Sequence, residues 1–511
     1  MVFGVAVERK VEPLFQALVH AVVTICEPQM LGLILIVGSI GILIGVIPGI
    51  SGMVGMALFL PVVFKLSPEI ALVALVAMHA VTFTGGTISA ILLNIPGTPA
   101  NAATLIDGFP MTQRGEGSRA IAAAVASSGA GGIVAVVAAL ALIPLVVPIV
   151  MAFKSAEMAF VILLGLSCLT IIGGGSAIKG AIAAGLGLVL SLIGFHMGTW
   201  IPRFTFGTTF LHGGLDVVAV CLGLFGLPEV VEIVAKRGDT IAIKASQAAR
   251  FLDALQGVRD VWRHKWMFLR TSMIGFICGV IPGVGAEAAT FLAYGQAKQF
   301  SKNRDKFGTG WVEGVIAPES ANNAKDGGAM LTTLAFGIPG SSVMGILLAA
   351  FLMVGITPGP QMLVERLPLS LTLLVGIVVS NLIFSIICIC VASHLVKLVG
   401  SIHVDFVFPV VVSFIVIGAF VAIESILNLL VMFLFGILGL FMKRFGYSRP
   451  ALLLTFVLGG LFEYYFLHAV RINGVWFFTT PICLMLIGLT VCLISYPQVR
   501  KALDKRVQAK S

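Results

Sequence analysis

Charge is scarce in this 511-residue sequence: Asp, Glu, Lys and Arg together make up 11% of it, against 59% hydrophobic residues. So thin a polar complement excludes a chain wetted on all sides. Apolar segments of roughly 15 to 25 residues recur along nearly its whole length, which makes a bilayer its solvent. Strand-like alternation is missing too, and backbone groups in lipid must find partners within their own segment. The roughly ten to twelve hydrophobic segments are therefore helices rather than barrel strands, and the chain reads as an all-α polytopic membrane protein.

Enzyme signatures are equally absent. There is no Walker A lysine, no zinc-helix motif and no Gly-x-Ser-x-Gly elbow. Residues 283–288 nominally fit a dinucleotide fingerprint, but no strand or parallel βαβ unit precedes them. The eight cysteines lie without metal spacing, and Cys388 and Cys390 read as inert buried thiols. Neither enzymatic activity nor a cofactor is expected.

The formal net charge of +9 is a topological signal rather than a nucleic-acid footprint, because Lys and Arg gather in short loops and tails. The basic stretch 235–266 and the tail 500–511 are expected in the cytoplasm. Arg9 and Lys10 precede a short apolar run, Leu14–Cys26, that superficially looks like a signal peptide. No small-x-small cleavage site follows, so a retained first helix is expected.

What the chain does contain is a phrase that breaks helices, written twice. GVIPGISG occupies residues 45–52 and GVIPGVGA residues 279–286. Each copy is followed by a Gly-Gly pair (Gly85-Gly86; Gly327-Gly328), an Ile-Pro-Gly and a further Gly–Pro element (Gly108-Phe109-Pro110; Gly355 to Pro358), with one residue of mismatch between the Gly pair and the Ile-Pro-Gly. A lone Pro-Gly reads as a kink, but interruptions in matched order in two halves point to a transporter's midplane site. The expected organisation is a first helix (1–27), a membrane repeat (28–235), a cytoplasmic basic linker (236–266), a second repeat (267–496) and a cytoplasmic basic tail (497–511).

The repeats are expected to face opposite ways. Between residues 28 and 119, Lys and Arg occur only at Lys65, Arg114 and Arg119, whereas 263–366 holds nine, from Arg263 through Lys325 to Arg366. The first helix would supply the crossing that inverts the first half. Residues 267–281 and 284–298 are each too short to span a bilayer, so a hairpin entering from the cytoplasm and turning at Pro282-Gly283 is expected, with two joined crossings as the alternative.

Broken helices leave free N–H groups and a partial positive charge where the next half-helix begins, which suits an anion. Pro48, Gly49, Pro96, Pro282, Gly283 and Pro339 mark the breaks. The hydroxyls behind them, Ser51, Thr98, Ser341 and Ser342, suit either capping or a substrate carboxylate. Gly97 and Gly340 are candidates for close backbone approach, and Asn94 and Asn101, which bracket the first Ile-Pro-Gly, for sharing the substrate contact. Glu319, Ser320, Asn322, Asn323 and Asp326 gather oxygens in "PESANNAKD", read either as a solvated loop or as ligands for a coupling cation, Na⁺ included. Glu287 is a further coupling candidate, as an ionisable residue at membrane depth. His79 reads as a hydrogen-bonded interior histidine.

At these motifs the sequence resembles the large permease subunit of the bacterial tripartite tricarboxylate transporters, from about residue 28 to residue 495. The likeness rests on GVIPGISG, GGTISAILLNIPGTPANAATLIDGFP, GVIPGVGAE, PESANNAKDGGAMLTTLAFGIPGSS and GITPGPQM. It implies a multi-pass protein of the bacterial inner membrane that imports citrate-like carboxylates by symport with Na⁺ or H⁺. It also implies two partners, a periplasmic solute-binding protein and a small integral membrane subunit. A channel or exporter of organic anions is the alternative, with a membrane-embedded enzyme more remote.

Overall fold

The computed structural model describes residues 2–47, 52–63, 65–172, 176–196, 199–228, 230–231, 251–282, 284–398 and 404–492. Ser51, Pro48, Gly49 and Gly283, together with the tail 497–511 and residues 236–250 of the basic linker, lie outside them.

Helices carry almost everything described. In the first half these are α1 (Val2–Cys26), α2 (Pro28–Val46), α3 (Gly52–Val63), α4 (Pro68–Leu93), α5 (Ala102–Gln113), α6 (Gly117–Met151), α7 (Ser155–Ile172), α8 (Ala177–Ser191) and α9 (Val217–Cys221). A two-stranded ribbon, β1 (Gly194–Phe195) with β2 (Pro202–Arg203), precedes α9. The second half holds α10 (Phe251–Arg263), α11 (Lys265–Val280), α12 (Gly285–Phe300), α13 (Glu313–Phe336), α14 (Ser342–Met353), α15 (Leu367–Leu398), α16 (Val404–Ile423), α17 (Ile426–Phe445), α18 (Arg449–Asn473) and α19 (Pro481–Cys492). Six of the described helices are long and apolar enough to cross a membrane, and seven other apolar helical stretches of 10–17 residues are shorter, as broken segments should be.

Small residues set the packing, as they do where lipid removes the hydrophobic drive between helices. On α6, Gly131 lies against the Ser320 carbonyl of α13, and Gly132 against Asn381 of α15. On α4, Gly85 meets Ile42 O and Val46 N of α2, while on α13 Gly328 meets Phe276 O and Val280 N of α11. Gly97 meets Gly45 O and Gly86, and Gly340 meets Gly279 O and Ala329. These contacts superpose α4 and its break on α13 and its break at one constant offset, Gly85 on Gly328 and Gly97 on Gly340, and α2 on α11 at another, Gly45 on Gly279. The one-residue mismatch expected between the Gly pair and the Ile-Pro-Gly therefore disappears. Gly86 corresponds to Ala329, and Gly327 serves another face, against Ala135 of α6.

The centre of the molecule is the pair α4 and α13, which run antiparallel. His79 lies beside Asp326 near one end of the contact, and the first break, through Asn101, beside Glu319 near the other. The 16-residue helices α11 and α12 are too short to span singly, and the Arg270 guanidinium lies 4.9 Å from the centroid of the Phe300 ring, so the outer ends of the pair return to the same level. Within the linker, α10 packs on α6, where Arg119 Nε donates to Asp260 at 2.7 Å. In α1, Ala17, Ala21 and Ile25 are buried, with Ile25 reaching Gly376 of α15. Of the paired thiols, Cys388 is buried as expected but Cys390 is exposed, because two residues along a helix turn it by about 200° and so put the two thiols on opposite faces of α15.

Candidate functional site

The polar run at 319–326 is no solvated loop. It forms the middle of α13, and Glu319, Ser320, Asn322, Asn323 and Asp326 are each 0% exposed. A helix at this depth satisfies its backbone internally, so its side-chain polar groups must find partners on neighbouring helices.

Glu319 finds them at the first break. Its Oε1 accepts from Thr104 Oγ1 at 2.5 Å and from Asn101 Nδ2 at 3.3 Å, and its Oε2 accepts from Asn322 Nδ2 at 3.3 Å. Asn101 also donates to Thr87 Oγ1 (2.7 Å) and to the Phe83 carbonyl (3.2 Å), while its Oδ1 accepts from Thr98 Oγ1 (2.6 Å). Every one of these donors is neutral, and Glu319 forms no ion pair among the described residues. The start of α5, expected to receive a substrate carboxylate, already faces a carboxylate of the chain's own.

A second group lies about two turns along α13. Asp326 Oδ1 is ion-paired with Lys325 Nζ, and His79 Nε2 lies 2.9 Å from the same oxygen. Lys325 is 1% exposed, and its Nζ sits 4.1 Å from the Phe83 ring centroid. Lys325, counted above among the nine flanking charges, is therefore interior and says nothing about loops. Asn323 Nδ2 donates to Asn381 Oδ1 (2.6 Å) and to the Ala80 carbonyl (3.1 Å). His79 Nδ1, Asn322 Oδ1, Asn323 Oδ1 and Asp326 Oδ2 are buried without a hydrogen-bond partner among the described residues. Ser320 instead joins Thr271 of α11 at 2.6 Å.

The remaining expected residues divide. Thr98 and Asn101 form a capping box over a short turn, and Ser341 caps α14 by accepting from Met344 N at 3.4 Å. Ser342 is half-buried at the first position of α14, and Pro339 and Gly340 are buried. Asn94 is exposed, a left-handed cap at φ 58° that matches Gly337 at φ 65° in the second unit, and does not join Asn101. Pro96 and Pro282 are half-buried. Glu287 is exposed on the first turn of α12, with its carboxylate over Gly285 at the positive end of the helix, and stands apart from the Asp326 group. Because α4 and α13 are antiparallel, the two Ile-Pro-Gly breaks flank the centre at levels about 15 Å apart along α13, counting ten residues at the helical rise.

Asp107 escaped the sequence reading. It is fully buried on α5, and its Oδ1 accepts from the backbone N–H of Gly308 (2.9 Å), Gly310 (2.8 Å) and Trp311 (2.8 Å), while Oδ2 accepts from Tyr294 Oη (2.9 Å). It ties the entry of α13 to the first unit. The only signal was an acid inside the apolar "TLIDGF".

A cavity of about 1030 Å³ opens beyond the C-terminal ends of α13 and α14, far from Glu319. The 357–361 segment of GITPGPQM lines it, together with Lys154, His212 and a bidentate Arg203–Glu463 pair, both bonds 2.9 Å. Gly359 N donates to Leu334 O at 3.1 Å, so this cavity adjoins the second break.

An all-α multi-pass membrane protein with paired broken helices and a polar interior is the class this architecture defines. More particularly, residues 31–454 match the family described as "Tripartite tricarboxylate transporter TctA family", and the chain belongs to it. It is 32% identical over 473 residues to an uncharacterized 52.8 kDa protein in the TAR-I ttuC′ 3′ region of Agrobacterium vitis, covering 91% of this chain and 93% of that one. A protein in the TAR-II ttuC′ 3′ region of the same organism is 35% identical over 237 residues, 45% of this chain and 98% of its own length. No solved structure matches the chain. Membership makes it the permease component of a tricarboxylate transporter, a transport protein of the membrane.

Proposed function

We propose that the protein is a secondary carrier that imports citrate-like di- and tricarboxylates across the bacterial inner membrane by symport with Na⁺ or H⁺. It works with a periplasmic solute-binding protein and a small integral membrane subunit. The observation that carries this is Glu319. A carboxylate buried among neutral donors is costly by several kcal/mol unless a proton or metal cation joins it. The unpartnered Asn322 Oδ1 beside it is a further hard ligand. Cation binding there ties transport to an ion gradient.

In this reading the first break belongs to the cation and the second to the substrate. Ser341, Ser342 and the free N–H groups of α14 face no acidic residue comparable to Glu319, since the position matching Glu319 in the first unit is Val76. The large cavity lies at the opposite end of α14, where Ala349 and Leu352 line it, and meets the break from the α13 side. Thr98 and Asn101, expected at the substrate, become partners of the coupling group in this reading. The two halves are inverted repeats. Antiparallel α4 and α13, equivalent glycine contacts and the basic residues at the Arg270–Phe300 end support this, with the basic face, the linker and the C-terminus in the cytoplasm.

The test is uptake of labelled citrate and other carboxylates into proteoliposomes holding this protein and both partners, with Na⁺ and proton gradients imposed separately. Saturable, gradient-driven uptake and exchange are expected. Leak conductance without saturation would sink the carrier reading in favour of a channel.

A further inference from the structure

Two carboxylates lie in the interface of α4 and α13, and the chain treats them differently. Glu319 meets only neutral donors. Asp326, 0% exposed, already carries the Lys325 ammonium on Oδ1. We propose that Lys325 is a built-in cation: it fills the place beside Asp326 that a free coupling cation would otherwise take, and so fixes how many cations accompany each substrate. The inference rests on the cation-coupled carrier reading above.

The place has the makings of a cation site. One wall is the Asp326 carboxylate. The opposite wall is the face of Phe83, 4.1 Å from Lys325 Nζ, where the ring's negative potential attracts a cation. Phe83 is the residue that matches Asp326 in the first unit, as Thr82 matches Lys325, so the ammonium is held between two equivalent positions of the pseudo-symmetric pair. Asp326 Oδ2 and Asn322 and Asn323 Oδ1, on the same stretch of α13, are buried without hydrogen-bond partners. They are hard oxygens of the kind that bind Na⁺, and a carboxylate is equally able to take a proton.

The titratable groups that touch Asp326 are Lys325 on its own helix and His79 on α4. The Lys325–Asp326 pair is balanced as it stands, one negative against one positive charge, with His79 Nε2 within hydrogen-bond reach of the same oxygen. Removing Lys325 leaves a buried carboxylate that must recruit a replacement, because an uncompensated charge in this interior is strongly unfavourable. Removing both charges restores balance without one.

The experiment measures cation-to-citrate stoichiometry in proteoliposomes with both partner proteins, following labelled citrate with radiolabelled Na⁺ or with an internal pH dye. Lys325→Met is expected to carry one more cation per citrate than the wild type. The Lys325→Met/Asp326→Asn double variant is expected to return to the wild-type ratio. An unchanged ratio in Lys325→Met, or an extra cation that persists in the double variant, overturns the proposal.

Thermal stability of the purified full-length protein in detergent, scanned against Na⁺ and against pH, provides an independent reading. Lys325→Met should gain stabilisation by one of these cations that the wild type and the double variant lack. If the wild type shows no gradient-driven uptake, the carrier reading fails, and the stability scans then decide the inference alone. No gain with either cation overturns it.

Discussion

Thr104 donates a 2.5 Å hydrogen bond to Glu319 across 215 residues of sequence, joining the half-helix behind the first Ile-Pro-Gly to the middle of α13. The two units are thus linked through a carboxylate at the point where one of them is broken, and a cation arriving at that carboxylate acts on both.

Glu319→Gln should abolish or strongly flatten the dependence of uptake on Na⁺ or pH, since a neutral amide keeps the hydrogen-bonding shape and needs no counter-ion. Glu287→Gln, an exposed position, provides the comparison and should keep the wild-type dependence. The check is initial uptake rate against cation concentration at fixed, saturating substrate. Wild-type dependence in Glu319→Gln would move coupling elsewhere.

Replacing Gly97 or Gly340 by Leu should abolish uptake while leaving insertion intact. Even a Cβ at Gly97 would strike Gly45 O and Gly86, and one at Gly340 would strike Gly279 O and Ala329. Overpacking of this kind costs about 1–3 kcal/mol, enough to separate the break from the helix behind it without unfolding the bundle. Transport and membrane content of each variant are measured together, and normal transport in both would reduce the breaks to ordinary kinks.

Single cysteines at Ser67 and Asn303, introduced in a background lacking native thiols, should label from opposite faces of the membrane. Ser67 starts α4, while Asn303 precedes the start of its antiparallel partner α13. An impermeant thiol reagent applied to right-side-out and inverted vesicles distinguishes the faces, and labelling of both from one face would rule out the inverted arrangement.

Asp107→Ala should lower stability by about 1–3 kcal/mol, the scale of buried N–H groups left without an acceptor. Three backbone N–H groups lose theirs. The apparent melting temperature in detergent should fall, while Asp305→Ala, exposed on the same loop, should leave it near the wild type.

The sequence by itself determined the solvent, the secondary structure and the places where helices break. Lipid forces long apolar segments into helices, and Pro and Gly punctuate them whatever lies nearby. It also carried the matched order of the breaks, and the family resemblance that residues 31–454 bear out. Only the tertiary structure decided which polar groups meet. "PESANNAKD" has the composition of a loop, and nothing local distinguishes a wetted run from one whose partners arrive on other helices. Thr104, Asn101 and His79 lie more than 200 residues away from the acids they serve. The same holds for Lys325, a loop charge by composition and an interior counter-ion by contact. It holds as well for Gly85, whose match to Gly328 rather than Gly327 was set by which glycine touches the neighbouring backbone. Burial at this depth is a property of helix pairs, and pairs are made by packing, which a single segment does not contain.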